Sequence, residues 1–481
     1  MEAVNETRAL SCFEFVSNFG IRISDFSSLL QYTHLMPTYA AFLGHQPAIS
    51  LAELMVMLPD LKPKKQWDQR IVTFEAAQEI TTDWLRQLGG TVLIAREIPS
   101  GDDGANRPSS RPAGLRSAGK PRLEEIVPKL LHKELKEVKR KATFSFRCMG
   151  VPRSEIRSLY RVCKKHLKEK NLASRYIGNE RHPAKPGTLL LRGIPGSESA
   201  EIVILQDAER KNTWVGKTCA VQDIEAYTNR DMGKPFRDTE TGLMPPKLAQ
   251  VLLNLSLIML PEKRALIKDP KKGAALWEGI TVWDPFCGSG VIALEALMRR
   301  AHMIASDRTE KAVAGCTENI RWLRLKEKTP KAITHYVFKQ NALKPAELPK
   351  RPTVIVTETS LGPALKKPPT KKEVATLVRD AEELEAAFFE NMAMLFPEVP
   401  IVCTFPVYIS RDGERNFLQK ILRKTEKLGY RRTMIGTSFL KTTDRQSLLY
   451  LRPDQMVGRE IFCFLPARRS AEREGGPPMK K

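Results

Sequence analysis

The run from residue 282 to residue 290 holds the residues best suited to chemistry. It reads Val-Trp-Asp-Pro-Phe-Cys-Gly-Ser-Gly, so an apolar segment ends in an acid and a glycine turn, and a helix-like apolar stretch follows. Glycines let the backbone pass close to a ligand, and a strand-end acid can accept an ammonium group. The pattern is typical of an S-adenosylmethionine site, with predicted contacts from Asp284, Pro285, Phe286, Cys287, Gly288, Ser289 and Gly290.

A second acid follows at the spacing that an adenosyl ligand requires. Residues 302–307 read as a short apolar strand ending in Asp307. An acid about twenty residues after the glycines can accept both ribose hydroxyls, and it argues against a 2'-phosphate. The rival interpretation is a nucleotide-phosphate loop, but the Gly-Lys-Ser/Thr that should follow the glycines is absent. Cys287 inside the turn is interpreted as a packing residue and not as a nucleophile.

Charge and composition limit which partner and which cellular compartment suit the chain. Lys and Arg number 78 and Asp and Glu 55, so the 481-residue chain has a net charge of +23. Such a surplus favours a polyanionic partner, because neutralised phosphates supply most nucleic-acid affinity. Cysteines without a Cys-x-x-Cys pair favour a reducing cytoplasm, and scattered histidines predict no metal site. Neither a membrane span nor a signal peptide is expected, since the sequence shows no pattern for either.

The amino-terminal part reads as a small α/β domain over residues 1–98. A strand is predicted over 39–43. A helix follows it, with Ser50 as N-cap and Glu53 reaching back in a capping box. A second helix over 74–88 and a closing strand complete the pattern.

A linker and a second α/β region follow. Residues 99–120 are rich in Gly, Ser, Pro and Arg and are predicted to be flexible, as is the basic tail 467–481, because neither can bury enough apolar surface. Strands are then predicted at 143–147, 188–191, 201–205 and 214–215. From about residue 246 strands and helices alternate, which is typical of a mostly parallel, doubly wound sheet.

The helix predicted over about 153–170 turns its apolar positions inward. They are Ile156, Leu159, Tyr160, Cys163 and Leu167. Its outer face is basic and is either an ordinary solvated surface or part of a phosphate track. The outer residues are Arg157, Arg161, Lys164, Lys165 and Lys168.

Three stretches together resemble one family, the THUMP-containing tRNA methyltransferases that act on N2 of guanosine at position 10. Residues 39–54 are similar to the family's amino-terminal strand and its helix start with Ala-Glu-Leu. Residues 216–249 look like the segment that joins THUMP to the catalytic domain, with Arg237-Asp238 and a Pro-Pro-Lys-Leu-Ala helix start. The third stretch is the cofactor motif, which many methyltransferases share.

The resemblance implies an α/β fold in which a Rossmann-like, doubly wound methyltransferase domain over 248–466 follows a ferredoxin-like and a THUMP-like region. The ferredoxin-like domain would span 1–98, the THUMP-like RNA-binding domain 121–222 and a connecting segment 223–247. The cofactor would be S-adenosylmethionine, bordered by Met244 and Pro245. The partner would be tRNA, held by the basic helix together with Arg175 and Arg230, and the need for a small activator protein is left open.

The segment after the fourth strand departs from the family's pattern. Enzymes of this class end that strand in Asp/Asn-Pro-Pro-Tyr/Phe, which accepts the amine hydrogens and stacks on the flipped base. Here residues 353–357 form the strand, and Glu358-Thr-Ser-Leu-Gly follows, without either proline or the aromatic. Glu358 and the carbonyl of Thr359 are predicted to accept the amine hydrogens, with Leu361 giving apolar contact. Asn341 and Ala342 stand where an Asp-Ala pair usually holds the adenine.

The sequence thus predicts a cytoplasmic, S-adenosylmethionine-dependent tRNA methyltransferase that transfers a methyl group directly to guanine N2, without a metal or a covalent intermediate. Two alternatives stay open: a DNA amino-methyltransferase, and an RNA-binding protein with a degenerate catalytic loop. A changed target atom is a further explanation of the departing loop. The segment 452–460 before the last strand either reaches the target pocket or forms the final turn.

Overall fold

The computed structural model describes residues 36–99, 122–238, 244–267, 276–433 and 442–467. The predicted linker, from residue 100 on, and the predicted tail, from residue 468 on, lie outside the described residues. The described part contains two mixed β-sheets that pack with helices, one of eight strands and one of nine. None of the described helices is long and apolar enough to cross a bilayer.

The first elements alternate as strand, helix, two strands, helix and strand. They are β1 (Thr38–Leu43), α1 (Pro47–Met57), β2 (Lys62–Gln66), β3 (Ile71–Glu75), α2 (Thr82–Leu85) and β4 (Thr91–Glu97). The strands pair antiparallel in the order β2-β3-β1-β4. A β-α-β-β-α-β chain paired in this way has the ferredoxin-like arrangement.

Two local predictions for this part are wrong. Helix α1 begins at Pro47, since proline suits the first helical position, so Ser50 lies inside the helix and its hydroxyl donates to the Gln46 carbonyl at 2.9 Å. There is no capping box, and Glu53 bonds elsewhere. The helix predicted over 74–88 is instead the end of β3 followed by the short α2. β3 reads Ile-Val-Thr-Phe-Glu, whose β-branched and aromatic residues suit a buried strand.

The next elements extend the same sheet. They are α3 (Leu123–Leu135), β5 (Ala142–Met149), α4 (Arg153–Glu169), β6 (Ser174–Tyr176), α5 (Pro186–Leu191), β7 (Ser199–Gln206) and β8 (Thr213–Val221). β8 pairs antiparallel with β4, so the order continues as β4-β8-β7-β5-β6. The strand predicted at 188–191 is wrong, because Pro186 begins a helix there. The predicted inward face of α4 is buried, except that Tyr160 is half-buried.

The remaining elements build the second sheet. They are α6 (Ile224–Met232), α7 (Pro246–Ser256), α8 (Pro261–Ile267), β9 (Thr281–Asp284), α9 (Val291–Met298), β10 (His302–Asp307), α10 (Glu310–Lys326), β11 (His335–Lys339), β12 (Val354–Glu358), α11 (Lys371–Leu395), β13 (Ile401–Ile409), β14 (Arg415–Asn416), α12 (Lys420–Lys427), β15 (Tyr430–Arg432), β16 (Leu448–Tyr450) and β17 (Val457–Pro466). Their order is β11-β10-β9-β12-β13-β17-β15, with β14 and β16 at the side.

The second sheet reverses its winding between β9 and β12. From β9 the chain winds through β10 to β11 on one side, and β12 and β13 follow on the other, all of them parallel. β17 then inserts antiparallel to β13. The predicted Rossmann-like methyltransferase fold is therefore confirmed. Ligands of such sheets bind at the carboxyl ends of the strands beside the reversal, which here means β9 and β12.

A buried carboxylate ties the amino-terminal elements to the second sheet. Glu53 of α1 is fully buried and accepts hydrogen bonds from the backbone N–H groups of Gly89 (2.9 Å) and Gly90 (2.7 Å). It also accepts one from the Asn254 side chain of α7 at 2.7 Å, and Asn254 donates again to the Gln87 carbonyl at 2.7 Å. Burial raises the pKa of Glu53 to about 7. The same apolar core encloses both halves at this point.

We predict that Glu53→Ala lowers the free energy of unfolding by about 3 kcal/mol or more, because three buried donors lose their acceptor. Asp83→Ala is the matched control. Its carboxylate is 85% exposed and pairs with Arg86 on the surface, so the change should be at most about 1 kcal/mol. Urea unfolding of both variants provides the measurement. Equal stability of the two variants would show that Glu53 does not join the halves.

Candidate active site

The glycine loop between β9 and α9 adopts a backbone that needs its glycines. Gly288 and Gly290 have φ angles of +48° and +80°, in the left-handed region. A Cβ atom at Gly290 would lie 2.6 Å from the Sγ atom of Cys316, so α10 packs directly on the loop. A Cβ atom at Gly288 would meet no described atom within 4 Å beyond its chain neighbours. The loop therefore leaves open space over Gly288.

Three acids end neighbouring parallel strands at this loop. Asp284 is the last residue of β9, Asp307 of β10 and Glu358 of β12. Asp284 is only 2% exposed, and its Oδ1 atom accepts from the Thr357 hydroxyl at 2.6 Å and from the Phe286 N–H at 3.2 Å. Burial above all, and then the charges of Asp307 and Glu358, raise the pKa of Asp284 to about 7.

Asp307 fastens the glycine loop to the next strand. Its Oδ2 atom accepts from the Gly288 N–H at 3.1 Å, and its Oδ1 atom accepts from the Thr309 N–H and hydroxyl, both at 3.0 Å. A carboxylate has about four lone-pair sites, and three are occupied here, so Oδ2 can accept one further bond from a ligand. Asp307 thus fixes the loop and keeps acceptor capacity on Oδ2.

A buried asparagine holds the connecting segment against the glycine loop. The Asn319 side chain of α10 accepts from the Phe236 N–H at 2.9 Å and donates to the Phe236 carbonyl at 3.0 Å and the Ser289 carbonyl at 2.8 Å. The Phe236 ring fills the space over Gly315, where a Cβ atom would lie 2.0 Å from it. No sequence motif marks Asn319 as a site residue, although it lies one helical turn after Gly315, where the Phe236 ring packs.

Pro285, a further predicted cofactor contact, lies buried in the loop. Met244, which is 7% exposed, and Pro245, the N-cap of α7, precede the helix that packs against α9. The hydrogen bond with the Cys316 thiol, followed by burial, raises the pKa of Cys287 well above its ordinary value. Because the thiolate is the nucleophile, this environment suits the predicted packing role.

Asn341 and Ala342 form a turn after β11. The Asn341 Oδ1 atom accepts from the Leu343 N–H at 3.0 Å, and the buried Ala342 carbonyl accepts from Asn391 at 2.8 Å. The amide oxygen that was expected to meet adenine thus already has a backbone partner. The adenine contact stays a prediction.

The sequence predicted Glu358 as an acceptor of amine hydrogens and gave it no partner within the protein. In the structure its carboxylate is paired with an arginine from β17. The Nε atom of Arg459 donates to the Glu358 Oε1 atom, and the two side chains are 5% and 17% exposed. The guanidinium of Arg459 also lies 5.7 Å from the centre of the Tyr450 ring, and Arg452 donates to the Tyr450 hydroxyl at 3.0 Å. Arg459 of the segment 452–460 therefore reaches the predicted catalytic carboxylate, and a contact of this segment with the target base stays a prediction.

The rest of the predicted catalytic loop runs over β13. The Thr359 hydroxyl donates to the Thr404 carbonyl at 2.6 Å, and Leu361 is half-buried. Gly362 has a φ of +83°, and a Cβ atom there would lie 2.9 Å from the Tyr408 hydroxyl. Hydrogen bonding and a glycine thus shape a loop that lacks the prolines expected to stiffen it.

A second buried acid lies behind this loop. Glu385 of α11 is fully buried, and within the described residues neither of its oxygens has a hydrogen-bond partner of normal geometry. Burial raises its pKa to about 8, and the neighbouring Thr359 hydroxyl offsets only part of that shift. The fold therefore favours the protonated form of Glu385.

The predicted RNA-binding residues fall into two groups. Arg161, Lys164, Lys168 and Arg175 are exposed, while the similarly exposed Arg157 and Lys165 pair with Glu180 at 2.8 Å and Glu169 at 3.9 Å. These side chains are accessible to a polyanion, because surface ion pairs are weak. Their contact with RNA stays a prediction.

The prediction of an RNA contact for Arg230 is wrong. Arg230 is 8% exposed, and its Nε atom donates to the Glu295 carboxylate of α9 at 2.8 Å. Glu295 also pairs with Arg299 at 3.2 Å, and the Arg230 guanidinium lies 4.5 Å from the Tyr227 ring centre. A basic residue in a charged segment looked exposed, but a buried acid on another helix holds it inside.

Comparison with known proteins gives a short family match and distant structural likenesses. A family described as "Conserved hypothetical protein 95" matches residues 272–356. TrmN from Thermus thermophilus is similar at 13% identity and a TM-score of 0.43, covering 89% of this chain and 99% of that one. A putative methyltransferase complexed with SAH has 10% identity and a TM-score of 0.43, covering 90% and 100%. No curated protein matches.

We predict that Glu385→Gln removes part of the fall in stability that the protein shows on raising the pH. The folded-state pKa of about 8 lies above the unfolded value near 4.5, so the protonated acid is favoured in the folded state. The contribution of Glu385 to stability is complete below its unfolded-state pKa and is lost as the pH rises through its folded-state pKa. The free energy of unfolding that Glu385→Gln gains over the wild-type protein should therefore increase between pH 5 and pH 9 by on the order of 4 kcal/mol.

Urea unfolding at several pH values measures this difference, with the 73% exposed Glu383 of the same helix as control in a Glu383→Gln variant. A gain independent of pH would mean that Glu385 is ionised in the fold.

Proposed function

We propose that this chain is an S-adenosylmethionine-dependent methyltransferase that acts on tRNA, transferring the methyl group directly to the exocyclic N2 of a guanosine. The convergence of Asp284, Asp307 and Glu358 at the ends of three neighbouring parallel strands, around the glycine loop, carries this proposal. Two acids would serve the cofactor and the third the amine. The net charge of +23 and the exposed basic face of α4 support an RNA substrate.

The residues at the loop fit the cofactor. The open space over Gly288 admits its methionine part, since the glycine has no side chain there. Asp284 accepts both of its hydrogen bonds on Oδ1, so within the described residues Oδ2 is left to accept from an ammonium group. Asp307 retains acceptor capacity on Oδ2 for a ribose hydroxyl. The bound cofactor would supply an electrophilic methyl group on sulfur.

Glu358 and Arg459 suit an exocyclic amine on guanine. The lone pair of that amine is delocalised into the ring, so acceptors on its hydrogens favour the geometry in which the nitrogen attacks. Arg459 holds Oε1 of Glu358 and leaves Oε2 for an amine hydrogen, and the Thr359 carbonyl is the second acceptor. A carboxylate only accepts hydrogen bonds, which matches the adjacent N1–H and N2–H donors of guanine better than the N1 acceptor of adenine.

Tyr450 is an aromatic side chain beside the Glu358–Arg459 pair, but it is 9% exposed and lies in the apolar core. It lies on β16, which pairs with β17 so that Tyr450 is opposite Arg459. Leu361 takes the aromatic position of the loop, so stacking on a flipped base would have to come from another element. Tyr450 is too deeply buried for that stacking and instead packs beside the arginine that orients Glu358.

The competing candidate is an RNA-binding protein that transfers no methyl group. The ion pair between Arg459 and Glu358 favours it, because the pair uses acceptor capacity of the catalytic carboxylate. The two candidates differ in the effect of substituting Asp284. A binding protein tolerates Asp284→Ala, whereas the enzyme loses transfer.

The test is transfer of labelled methyl from S-adenosylmethionine to unmodified tRNA, beside duplex DNA, with nucleoside analysis of the product. The expected result is label in N2-methylguanosine from tRNA alone. Asp284→Ala should lower the rate at least ~100-fold, since the ammonium contact positions the methyl group. The exposed Asp83→Ala serves as control and should match the wild-type protein. Label on adenine or on DNA would overturn the assignment, and binding of tRNA without transfer would favour the competing candidate.

We also predict that Arg459→Ala lowers kcat by roughly 10²-fold while the KM for S-adenosylmethionine changes little, because the arginine positions Glu358 and not the cofactor. Arg445→Ala is the control. It removes another arginine that pairs with a buried glutamate, Glu460, on the same strand. Its loss should affect stability more than kcat. Steady-state kinetics at saturating tRNA separate these effects, and an unchanged kcat in Arg459→Ala would show that the ion pair is only structural.

A further inference from the structure

A cleft of about 480 Å³ opens just beyond the catalytic loop. It lies between the segment that follows Gly362 and the first turns of α11. Its apolar lining includes Leu365, Pro369 and Leu377, which are half-buried or buried. Its polar lining is dominated by Lys366, Lys367 and Lys372, all exposed. The cleft thus combines an apolar surface with positive charge.

The cleft lies at the carboxyl end of the sheet, like the three acids. The loop leaves β12 along β13, where Thr359 bonds to the Thr404 carbonyl and Gly362 packs on Tyr408. It then passes beyond the end of β13, because the Arg411 N–H donates to the Pro369 carbonyl at 2.9 Å. Leu365 follows Glu358 by seven residues in the sequence, so at most about 25 Å of chain separates the cleft from the catalytic carboxylate.

The positive charge of the cleft is not neutralised by its neighbours. Lys366, Lys367 and Lys372 form no ion pair with any acid of the described residues. The acid in the lining, Glu373, is already engaged by the N–H and hydroxyl of Thr370 at 2.6 and 2.8 Å. Lys371, outside the cleft, pairs with Asp412 at 3.1 Å. Three lysines therefore face one engaged carboxylate.

We propose that this cleft binds a nucleotide of the RNA strand that carries the target base, with the flanking base on the apolar lining and its phosphate on the lysines. The inference rests on the proposed function and extends it to the substrate's flanking nucleotide. An inorganic anion would leave the apolar lining unused, and an apolar ligand would leave the lysines unused. Both parts match a nucleotide, since every base has an apolar face and every phosphate a charge.

Binding of a fluorescent, unmodified tRNA transcript to the full chain tests the charge. The cleft variant is K366Q/K367Q/K372Q, and the control is K328Q/K331Q/K350Q, three exposed lysines in loops that precede β11 and β12 at the opposite end of the sheet. We expect the cleft variant to weaken binding at least about 10-fold near 0.1 M salt and to reduce the salt slope by about one or more, because phosphate contacts are lost. K366R/K367R/K372R should restore wild-type binding.

Photocrosslinking tests whether the RNA strand lies in the cleft. A tRNA transcript with 4-thiouridine next to the target nucleotide should crosslink to the peptide spanning 364–377, and the cleft variant should lose that crosslink. Equal weakening by both lysine variants, or crosslinks confined to the α4 face, would overturn the proposal. If an acidic peptide competes as well as RNA, the cleft is a protein-docking surface instead. Absence of methyl transfer by the wild-type chain, with the crosslink intact, would contradict only the proposed function.

Discussion

Three acids end adjacent parallel strands, so their like charges lie close together. The second half of this molecule is arranged around that constraint. Asp307, Asp284 and Glu358 end adjacent strands, and Asp284 on the middle strand is almost fully buried. Each carboxylate is met by donors from its own surroundings: Thr357 for Asp284, the Gly288 backbone for Asp307 and Arg459 for Glu358. Burial and the neighbouring charges still raise the pKa of Asp284 to about 7, so a ligand cation beside it would relieve a cost already present in the fold.

The amino-terminal half is connected to this site through polar groups that the core buries. Glu53 and Asn254 hold the turn at residues 86–90 against α7, and Arg299, the C-cap of α9, donates to the Gln87 carbonyl of that turn at 3.3 Å. α9 begins directly after the glycine loop. The proposed RNA-binding half is thus fastened to the helix that starts at the proposed cofactor site. Such a connection suits an enzyme that must place a distant part of its substrate relative to the reacting atom.

Features that depend on neighbours in sequence could be predicted. The glycine loop, its acid and the second acid follow from spacing alone, because strand, turn and helix are continuous there. The inward face of α4 follows from periodicity. Features that depend on partners distant in sequence could not be predicted from local patterns. Arg230 looked exposed until Glu295 of another helix was in place, and the Glu53 of an apparent capping box bonds to Gly89 and Gly90 instead. Arg459 reaches Glu358 across 101 residues of sequence, and no local pattern marks that pairing.

The most direct test of the proposed cofactor site is a calorimetric titration of the full chain with S-adenosylmethionine, comparing the wild-type protein with Asp307→Asn. We expect one bound cofactor per chain in the wild-type protein. Binding in the variant should be at least ~10-fold weaker, since the ribose loses a charged acceptor. Failure of the wild-type protein to bind, or equal affinity in both proteins, would contradict the claim that the strand-end acids form a cofactor site.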